Sequence, residues 1–227
     1  MEDNKIDFSV VLGASMHDMK NSLCMLLQSI DTISQSIEHT PQAQSEFAKI
    51  HYEVARVNSN LLQILALYRE RNAQLPLNIE EHFLDDVIDE LLANNELYIT
   101  HKNIDVKCEV EEDLAWYFDA DLISNLLNDI LINALKYTTD KILISAQKIA
   151  NRLVIEIQDN GVGYPESMLE KANNKMTSAL LSQGRTGLGI YFANLIASAH
   201  INKEQKGSIQ LANNSHLGGS RFTLILP

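Results

Sequence analysis

The stretch LVIEIQDNGVGYP, residues 153–165, joins a strand-like run to a glycine-rich loop. Residues 153–158 are rich in β-branched side chains and partly alternate between apolar and polar positions, which is typical of a β-strand. Gly161 and Gly163 follow this run, and glycine lets the backbone adopt a positive φ and approach a ligand closely. Asp159 ends the run, where its carboxylate is placed to accept a hydrogen bond from an exocyclic amine such as that of adenine. Taken alone, the pattern fits a plain turn equally well.

Helical and strand-like segments alternate on both sides of this stretch. The helical patterns cover residues 80–93, 120–137 and 187–199, and the strand-like runs cover residues 104–110, 141–147, 153–158, 208–212 and 221–226. Helices mixed with several strands predict a two-layer α/β sandwich. Pro76 predicts the boundary at which this domain begins, so we expect the sandwich to occupy residues 76–227.

The segment before Pro76 has a different period. Its apolar residues recur in steps of three and four, and Thr40-Pro41 between the two seams suits the start of a second helix. Leu62 and Leu65 widen the apolar face beyond that of a two-stranded coil. We therefore predict a helical hairpin over residues 1–75 that completes a four-helix bundle as a homodimer. The two seams are Leu12, Met16, Met19, Leu23, Leu26, Ile30, Ile33 and Ile37, then Phe47, Ile50, Val54, Val57, Leu61, Ile64 and Tyr68.

The motif HDMKNSL, residues 17–23, lies inside the first seam. His17 follows a seam position by one residue, which leaves its imidazole able to reach solvent and to act as a nucleophile near neutral pH. Asp18 is suited to hold Nδ1 of a neighbouring imidazole, so that Nε2 keeps its lone pair. Asn21 shares the helix face of His17 and is suited to position a water. The alternative interpretation is a solvated helix face.

The segment LLNDILINALKYT, residues 126–138, carries oxygen ligands on one helix face. Asp129 and Asn133 are four residues apart, and a carboxylate and an amide oxygen suit Mg²⁺. Lys136 and Tyr137 lie one turn further on and suit contacts with phosphate and nucleotide. An amphipathic helix with an ordinary polar face is the alternative.

A third motif, GRTGLGIYF at residues 184–192, places glycines before an apolar helix. Free N–H groups and the positive end of the helix dipole favour phosphate there. The glycine spacing does not fit a dinucleotide fingerprint, and no parallel βαβ unit precedes it.

Together these motifs, with the terminal GGSRFTLILP, closely resemble the catalytic core of bacterial two-component sensor histidine kinases. The resemblance implies a dimeric helical hairpin followed by an ATP-binding α/β sandwich of the GHKL type. It implies ATP and Mg²⁺ as cofactors and a response-regulator receiver domain as partner. The implied roles are autophosphorylation of His17 with Asp18 as base, dephosphorylation of the partner through Asn21, Mg²⁺ binding by Asn133 and Asp129, and nucleotide contacts by Lys136, Tyr137, Asp159, Gly161, Gly163, Gly187, Leu188 and Gly189.

Two positions and one segment depart from the family pattern. Asp129 stands where the family's motif begins with an asparagine, which leaves open whether it binds metal, orients water or weakens ATP binding. Ser22 replaces a common proline, so no proline bends the helix there. The segment between Gly163 and Gly184 is short and lacks the usual phenylalanine-rich box.

Composition narrows the remaining possibilities. The formal net charge of −12 disfavours a nucleic-acid binder, and no run of apolar residues is long enough to span a membrane. We see no secretion signal, and the two cysteines have no metal-ligand spacing, so we expect a cytoplasmic protein. About 16 residues precede His17, too few for a sensory domain. The input therefore lies on a segment outside this sequence or, as we prefer, in a separate sensory protein.

Two other functions compete with a kinase that phosphorylates a response regulator. One is an enzyme biased towards phosphatase activity, and the other is a degenerate kinase that serves as a dimeric docking scaffold. Intact His17, Asn133 and Asp159 argue against the scaffold. Asp129 and the short segment between Gly163 and Gly184 keep the scaffold as an alternative.

The seams generate a prediction about assembly. They present about fifteen apolar side chains, and each stabilises the folded state by roughly 1.5–3 kcal/mol when fully buried. A single hairpin would leave much of this apolar surface exposed to water. Residues 1–75 alone should dimerise, whereas residues 77–227 alone should sediment as a monomer that binds ATP. A folded, monomeric 1–75 fragment at micromolar concentration would contradict the bundle, and a dimeric 77–227 fragment would move the interface to the other domain.

Overall fold

The computed structural model of the chain describes residues 77–173 and 188–227, with the helical positions 19, 21–23, 25–26, 28–30, 32–33, 47, 50, 53–54 and 57. The chain divides into two compact units, Met1–Gln74 and Leu75–Pro227. Among the residues so described, no helix combines the length and apolar character that crossing a bilayer requires.

The second unit alternates helices and strands, as the sequence predicts. Its elements in chain order are β1 (Glu80–Phe83), α1 (Leu84–Ala93), α2 (Glu96–Lys102), β2 (Asp105–Val110), β3 (Ala115–Phe118), α3 (Ala120–Tyr137), β4 (Lys141–Ile149), β5 (Arg152–Asp159), α4 (Glu166–Asn173), α5 (Leu188–Ala199), β6 (Ile201–Asn202), β7 (Gln205–Lys206), β8 (Ser208–Ala212) and β9 (Arg221–Leu226).

The main sheet of the second unit has five strands. Its strand order is β2-β4-β5-β9-β8; β2 and β4 are parallel and the other pairs are antiparallel. Strands β1 and β3 form a second, two-stranded sheet, and β6 and β7 form a third. One face of the large sheet is apolar and packs against the helices in a single core, whose members include Ile144, Ile155 and Leu224 from strands and Leu127 and Ile196 from helices. The predicted two-layer α/β sandwich is confirmed.

One predicted element is wrong in part. Residues 80–93 are not a single helix, because Glu80–Phe83 pair antiparallel with Ala115–Phe118 and the helix begins at Leu84. The helical pattern of apolar positions starts only there, and strand pairing with a distant segment decides the four residues before it. Strands β3, β6 and β7 and helices α2 and α4 were not predicted, whereas helix 120–137 and strands 208–212 and 221–226 are confirmed with their predicted bounds.

Helix α3 begins with a strong capping arrangement. Asp119 precedes the helix, and its Oδ1 accepts a hydrogen bond from the N–H of Leu122 at 3.0 Å. Its Oδ2 accepts from the N–H of Asn78 at 2.9 Å, so the same carboxylate holds the incoming chain. The cap fixes where the helix starts, and therefore which residues face outward one to five turns later.

A buried histidine ties the end of α5 to this cap. His200 is 3% exposed; its Nδ1–H donates to the carbonyl oxygen of Ile196 at 2.8 Å, and its Nε2 accepts from the N–H of Asp119 at 3.1 Å. Both ring nitrogens are therefore satisfied in the neutral form. Burial lowers the pKa of His200 below its ordinary 6.5, although the Ile196 carbonyl and the Asp119 carboxylate act in the opposite direction.

In the first unit, the described positions are all helical. The hydroxyl groups of Ser29 and Thr32 each donate to the carbonyl four residues earlier, at 2.8 Å. The seam residue Ile30 is buried, whereas five other seam residues are exposed in the single chain: Met19, Leu26, Ile33, Ile50 and Val57. The hairpin and the bundle predicted for residues 1–75 extend beyond the described positions and stay a prediction.

His200 generates a prediction about stability and pH. Because its folded-state pKa is lowered, the unfolded chain binds its proton more readily, and the stability that neutral His200 contributes is present above about pH 6.5 and is lost as the pH falls. His200→Gln removes this titration. The difference in unfolding free energy between the wild type and the variant should therefore shrink from about pH 7.5 to about pH 5, measured by urea denaturation. A constant difference across this range would contradict the assignment.

Candidate functional site

The site is built around Asp159, the last residue of strand β5, which is 3% exposed. Its Oδ1 accepts hydrogen bonds from the N–H groups of Gly161 at 2.7 Å and Ser220 at 3.2 Å. Its Oδ2 accepts from the hydroxyl group of Ser220. Three donors from two loops thus stabilise a buried carboxylate, which would otherwise be costly to remove from water.

Backbone bonds close the same two loops on each other. The carbonyl oxygen of Asp159 accepts from the N–H of Gly219 at 3.1 Å and from the hydroxyl of Ser215 at 2.9 Å. A Cβ atom on Gly219 would lie 2.5 Å from both Asp159 Oδ1 and the nitrogen of Gly161, so no larger residue fits there. The terminal GGSRF motif is therefore part of the Asp159 site and not only a turn before the last strand.

Gly161 is where the Asp159 loop meets the end of helix α3. A Cβ atom here would overlap the carbonyl oxygen of Tyr137 and lie 3.1 Å from Asp159 Oδ1. The close approach brings two of the predicted motifs, residues 126–138 and 159–165, into direct contact.

The side chain of Asn160 forms hydrogen bonds with the turn that follows helix α3. Its Oδ1 accepts from the hydroxyl of Thr138 at 2.8 Å and from the N–H groups of Thr139, Asp140 and Lys141 at 3.2, 3.1 and 3.0 Å. Its Nδ2 donates to Asp140 Oδ1 at 2.7 Å. One amide side chain therefore organises the whole turn that links α3 to strand β4.

Asn213 fixes the next part of the loop. Its Oδ1 accepts from the N–H of Tyr164 at 2.7 Å, and its Nδ2 donates to the Tyr164 carbonyl oxygen at 2.8 Å. Gly163 has a φ of +80°, and a Cβ atom there would lie 2.8 Å from the Asn213 side chain. Glycine is thus required both for its conformation and for its lack of a side chain.

The outward face of α3 carries the predicted metal and nucleotide contacts. Asn133 is exposed, and its Nδ2 donates to the carbonyl oxygen of Asp129 at 2.9 Å, which leaves its amide oxygen to face away. Asp129 is half-buried one turn earlier. The ammonium group of Lys136 lies 5.1 Å from the centre of the Tyr137 ring, a cation–π distance.

These ligands fit Mg²⁺ that shares its coordination with phosphates. Mg²⁺ is commonly held by one or two protein oxygens, substrate phosphates and water. Within the described part of the chain, no three His, Cys, Asp or Glu side chains cluster as a self-sufficient metal site. The amide oxygen of Asn133 and the carboxylate of Asp129 would hold the ion, and the phosphates would complete its shell.

The remaining predicted site residues are only partly described. Gly189 is half-buried within α5, and Leu188 begins that helix. Asn21 is helical and exposed in the first unit. His17, Asp18 and Gly187 lie outside the described residues.

Several residues that build the site were not singled out from the sequence. Asn160 follows Asp159 directly, but a side chain that bonds a turn 20 residues earlier leaves no local signal. Asn213 and Tyr164 pair across 49 residues. Ser220 stands in the GGSRF motif quoted from the sequence, and the antiparallel pairing of strands β5 and β9 explains why it reaches Asp159.

Comparison with known proteins agrees with this geometry. Residues 118–227 match the family described as histidine kinase-, DNA gyrase B-, and HSP90-like ATPase. The match begins just before α3 and includes Asp159 and its loops. The resemblance to a histidine kinase catalytic core is confirmed for this part of the chain, whereas the dimerisation domain stays a prediction.

Relatives and solved structures point the same way. The adaptive-response sensory kinase SasA of Synechococcus elongatus is 27% identical over 96% of this chain and 58% of its own length. The CAI-1 autoinducer sensor kinase/phosphatase CqsS of Vibrio cholerae is 24% identical over 87% of this chain and 31% of its own length. The chain therefore spans less than two thirds of the length of either relative. The solved Acinetobacter baumannii histidine kinase AdeS shares the fold, with 22% identity, 92% of this chain and 96% of that chain covered, and a TM-score of 0.59.

Asn160 generates a prediction about the integrity of the site. Asn160→Ala leaves the N–H groups of the α3–β4 turn without their acceptor, which should lower the free energy of unfolding by about 1–3 kcal/mol. Asn94→Ala, at an exposed asparagine that follows α1, should change it by less than about 0.5 kcal/mol. Equal effects of the two substitutions in chemical denaturation would show that Asn160 does not organise the turn.

Proposed function

We propose, from the match of residues 118–227 to the histidine kinase-, DNA gyrase B- and HSP90-like ATPase family, that the chain is an ATP-dependent protein-histidine kinase. It binds ATP with Mg²⁺ in the second unit, phosphorylates His17 and passes the phosphoryl group to an aspartate of a response-regulator receiver domain.

The buried carboxylate of Asp159 is the observation that carries the nucleotide-binding proposal. Its two oxygens accept hydrogen bonds from Gly161 and Ser220, and a carboxylate has about four acceptor sites. The acceptor capacity left over suits the exocyclic amine of adenine. Guanine presents a carbonyl oxygen at the same place. Because this oxygen and the Asp159 carboxylate are both acceptors, they cannot form a hydrogen bond with each other.

The phosphate end of the nucleotide is assigned to α3. Asn133 and Asp129 supply oxygen ligands for Mg²⁺, and Lys136 supplies positive charge. The contact between Gly161 and Tyr137 sets the spacing between the two ends of the site. Gly187, Leu188 and Gly189 are proposed to border the phosphates at the start of α5.

The chemistry on the first unit needs a nucleophile and a base. Nε2 of His17 attacks the γ-phosphorus, the new P–N bond forms as the bond to the β,γ-bridging oxygen breaks, and ADP leaves with the electron pair. Asp18 accepts the proton from Nδ1 as positive charge develops on the imidazole. The phosphoryl group then moves to an aspartate oxygen of the receiver domain.

Dimerisation is part of the proposal. Met19, Leu26, Ile33, Ile50 and Val57 are exposed in the single chain although they continue two regular seams. A second copy would bury them, because a four-helix bundle requires two helices from each chain. A separate sensory protein is the proposed source of the input signal.

Phosphatase activity towards the same response regulator is a second candidate. Asn21 is exposed on its helix, where its amide is able to hold a water against the phosphoryl group of a docked receiver domain. The relative CqsS is named a sensor kinase/phosphatase, which supports a bifunctional enzyme.

Radiolabelled ATP tests the kinase directly. The wild type with Mg²⁺ should acquire acid-labile, base-stable label, and His17→Ala should abolish it while leaving ATP binding nearly intact, because the two units are separate. His51→Ala is the matched control and should label like the wild type. Normal labelling of the His17 variant would overturn the assignment of the phosphorylated residue, and a wild type that acquires no label and binds no nucleotide would favour a scaffold.

The base-reading role of Asp159 has its own test. Asp159→Asn should weaken ATP binding more than GTP binding, because a hydrogen bond to a charged acceptor contributes roughly 1.5–3 kcal/mol and guanine offers no amine there. Calorimetric titration of both nucleotides measures the difference. Equal losses for ATP and GTP would remove Asp159 from base recognition.

A further inference from the structure

The loop of residues 160–164 is held at its two ends and by little in between. Asn160 at its start forms hydrogen bonds with the turn that follows α3. Val162 at its centre is 91% exposed. Among the described residues, no backbone–backbone hydrogen bond holds Val162 or Gly163. The shape of the loop therefore depends on what holds its far end, at Tyr164.

The side chain of Asn213, which directly follows strand β8, holds this far end. Its Oδ1 accepts from the Tyr164 N–H at 2.7 Å, and its Nδ2 donates to the Tyr164 carbonyl oxygen at 2.8 Å. This N–H belongs to the Gly163–Tyr164 peptide group, whereas the carbonyl belongs to the peptide group that joins Tyr164 to Pro165. One amide therefore fixes two consecutive peptide planes. Packing of the Tyr164 ring against the core anchors the side chain but does not set the orientation of these planes.

Glycine makes the first of these planes easy to turn. Gly163 has a φ of +80° and no side chain, so rotation of its peptide group meets little steric resistance. Asn213 removes this freedom because it holds the N–H of that peptide group. Its side chain also lies 2.8 Å from the position of a Gly163 Cβ atom, so the two residues are in close contact. A trans peptide places its carbonyl oxygen opposite its N–H, so a turn of this plane would reverse the direction of the Gly163 carbonyl.

We propose that Asn213 is a positioning residue for nucleotide binding, which keeps the Gly163–Tyr164 peptide plane in one orientation and so holds the loop of residues 160–164 in its binding shape before ATP arrives. This inference rests on the proposed function. Asn213 acts through the loop and not by contact with the nucleotide, because Tyr164 engages both the oxygen and the nitrogen of its amide. Without Asn213, the binding shape is populated in only a fraction of molecules, and the apparent ATP affinity falls by that fraction.

The ATP affinity of the full chain tests this proposal. Asn213→Ala should weaken the binding of ATP with Mg²⁺ roughly three- to thirtyfold, because the hydrogen bonds that favour one loop conformation are lost. Asn214→Ala removes the neighbouring exposed asparagine and should bind ATP like the wild type. The titrations are made at a temperature where urea denaturation shows all the proteins folded, so that a loss of global stability alone leaves the affinity unchanged. Equal affinities of Asn213→Ala and the wild type would overturn the proposal.

Amide exchange of Gly161, followed by NMR, separates a positioning role from a merely structural one. The Gly161 N–H donates to Asp159 Oδ1 and does not contact Asn213. Without nucleotide it should exchange faster in Asn213→Ala than in the wild type, while strand β2 exchanges alike in both. At saturating ATP the Gly161 N–H should exchange alike in both proteins, because the bound nucleotide then holds the loop. Faster exchange that persists at saturation, or that extends to strand β2, would overturn the proposal.

Asn213→Asp covers the case in which the alanine variant does not fold. It keeps an acceptor for the Tyr164 N–H but places a carboxylate oxygen against the Tyr164 carbonyl oxygen, so it should lose ATP affinity at least as strongly. A wild type that binds no ATP would overturn the kinase proposal and this one together. Wild-type affinity in the Asn213 variants would overturn this one alone.

Discussion

A buried carboxylate needs hydrogen-bond donors around it, and in this chain the need of Asp159 determines how the loops at one end of the sheet are arranged. The donors come from the loop that follows β5 and from the loop that precedes β9. Because β5 and β9 are neighbouring antiparallel strands, the end of one lies beside the start of the other. The sheet order thus brings donor and acceptor together, and the hydrogen bonds then hold the two loops in register.

Glycine and asparagine make this arrangement possible at close range. Gly161 and Gly219 leave room where any side chain would overlap backbone, and Asn160 and Asn213 supply bonds that the compressed loops cannot supply to themselves. The end of helix α3 is thereby joined to the Asp159 loop. A ligand that bridges Asp159 and the outward face of α3 would meet groups whose spacing is already set by these contacts, so little ordering would be left for binding to provide.

Local patterns predicted the parts of the site that are local. Asp159, Gly161 and Gly163 stand in one short motif, and Asn133 and Asp129 share one helix face, so the sequence alone was enough to propose them as site residues. The two-layer sandwich followed from the alternation of periods. Ser220 and Asn213 act across 61 and 49 residues, and Glu80–Phe83 form a strand only because Ala115–Phe118 pair with them. Such long-range pairing leaves no periodicity in the chain, which is why these features were missed or assigned wrongly.

We propose that an adenine nucleotide occupies the site around Asp159 and reaches α3. Hydrogen–deuterium exchange of the full chain, with and without ATP and Mg²⁺, tests it most directly. We expect slower exchange on ATP binding at residues 159–164, at residues 215–220 and at the exposed end of α3, with little change along strand β2 at the far edge of the sheet. ATP-dependent protection elsewhere, with residues 159–164 and 215–220 unchanged, would mean that the nucleotide does not bind at Asp159.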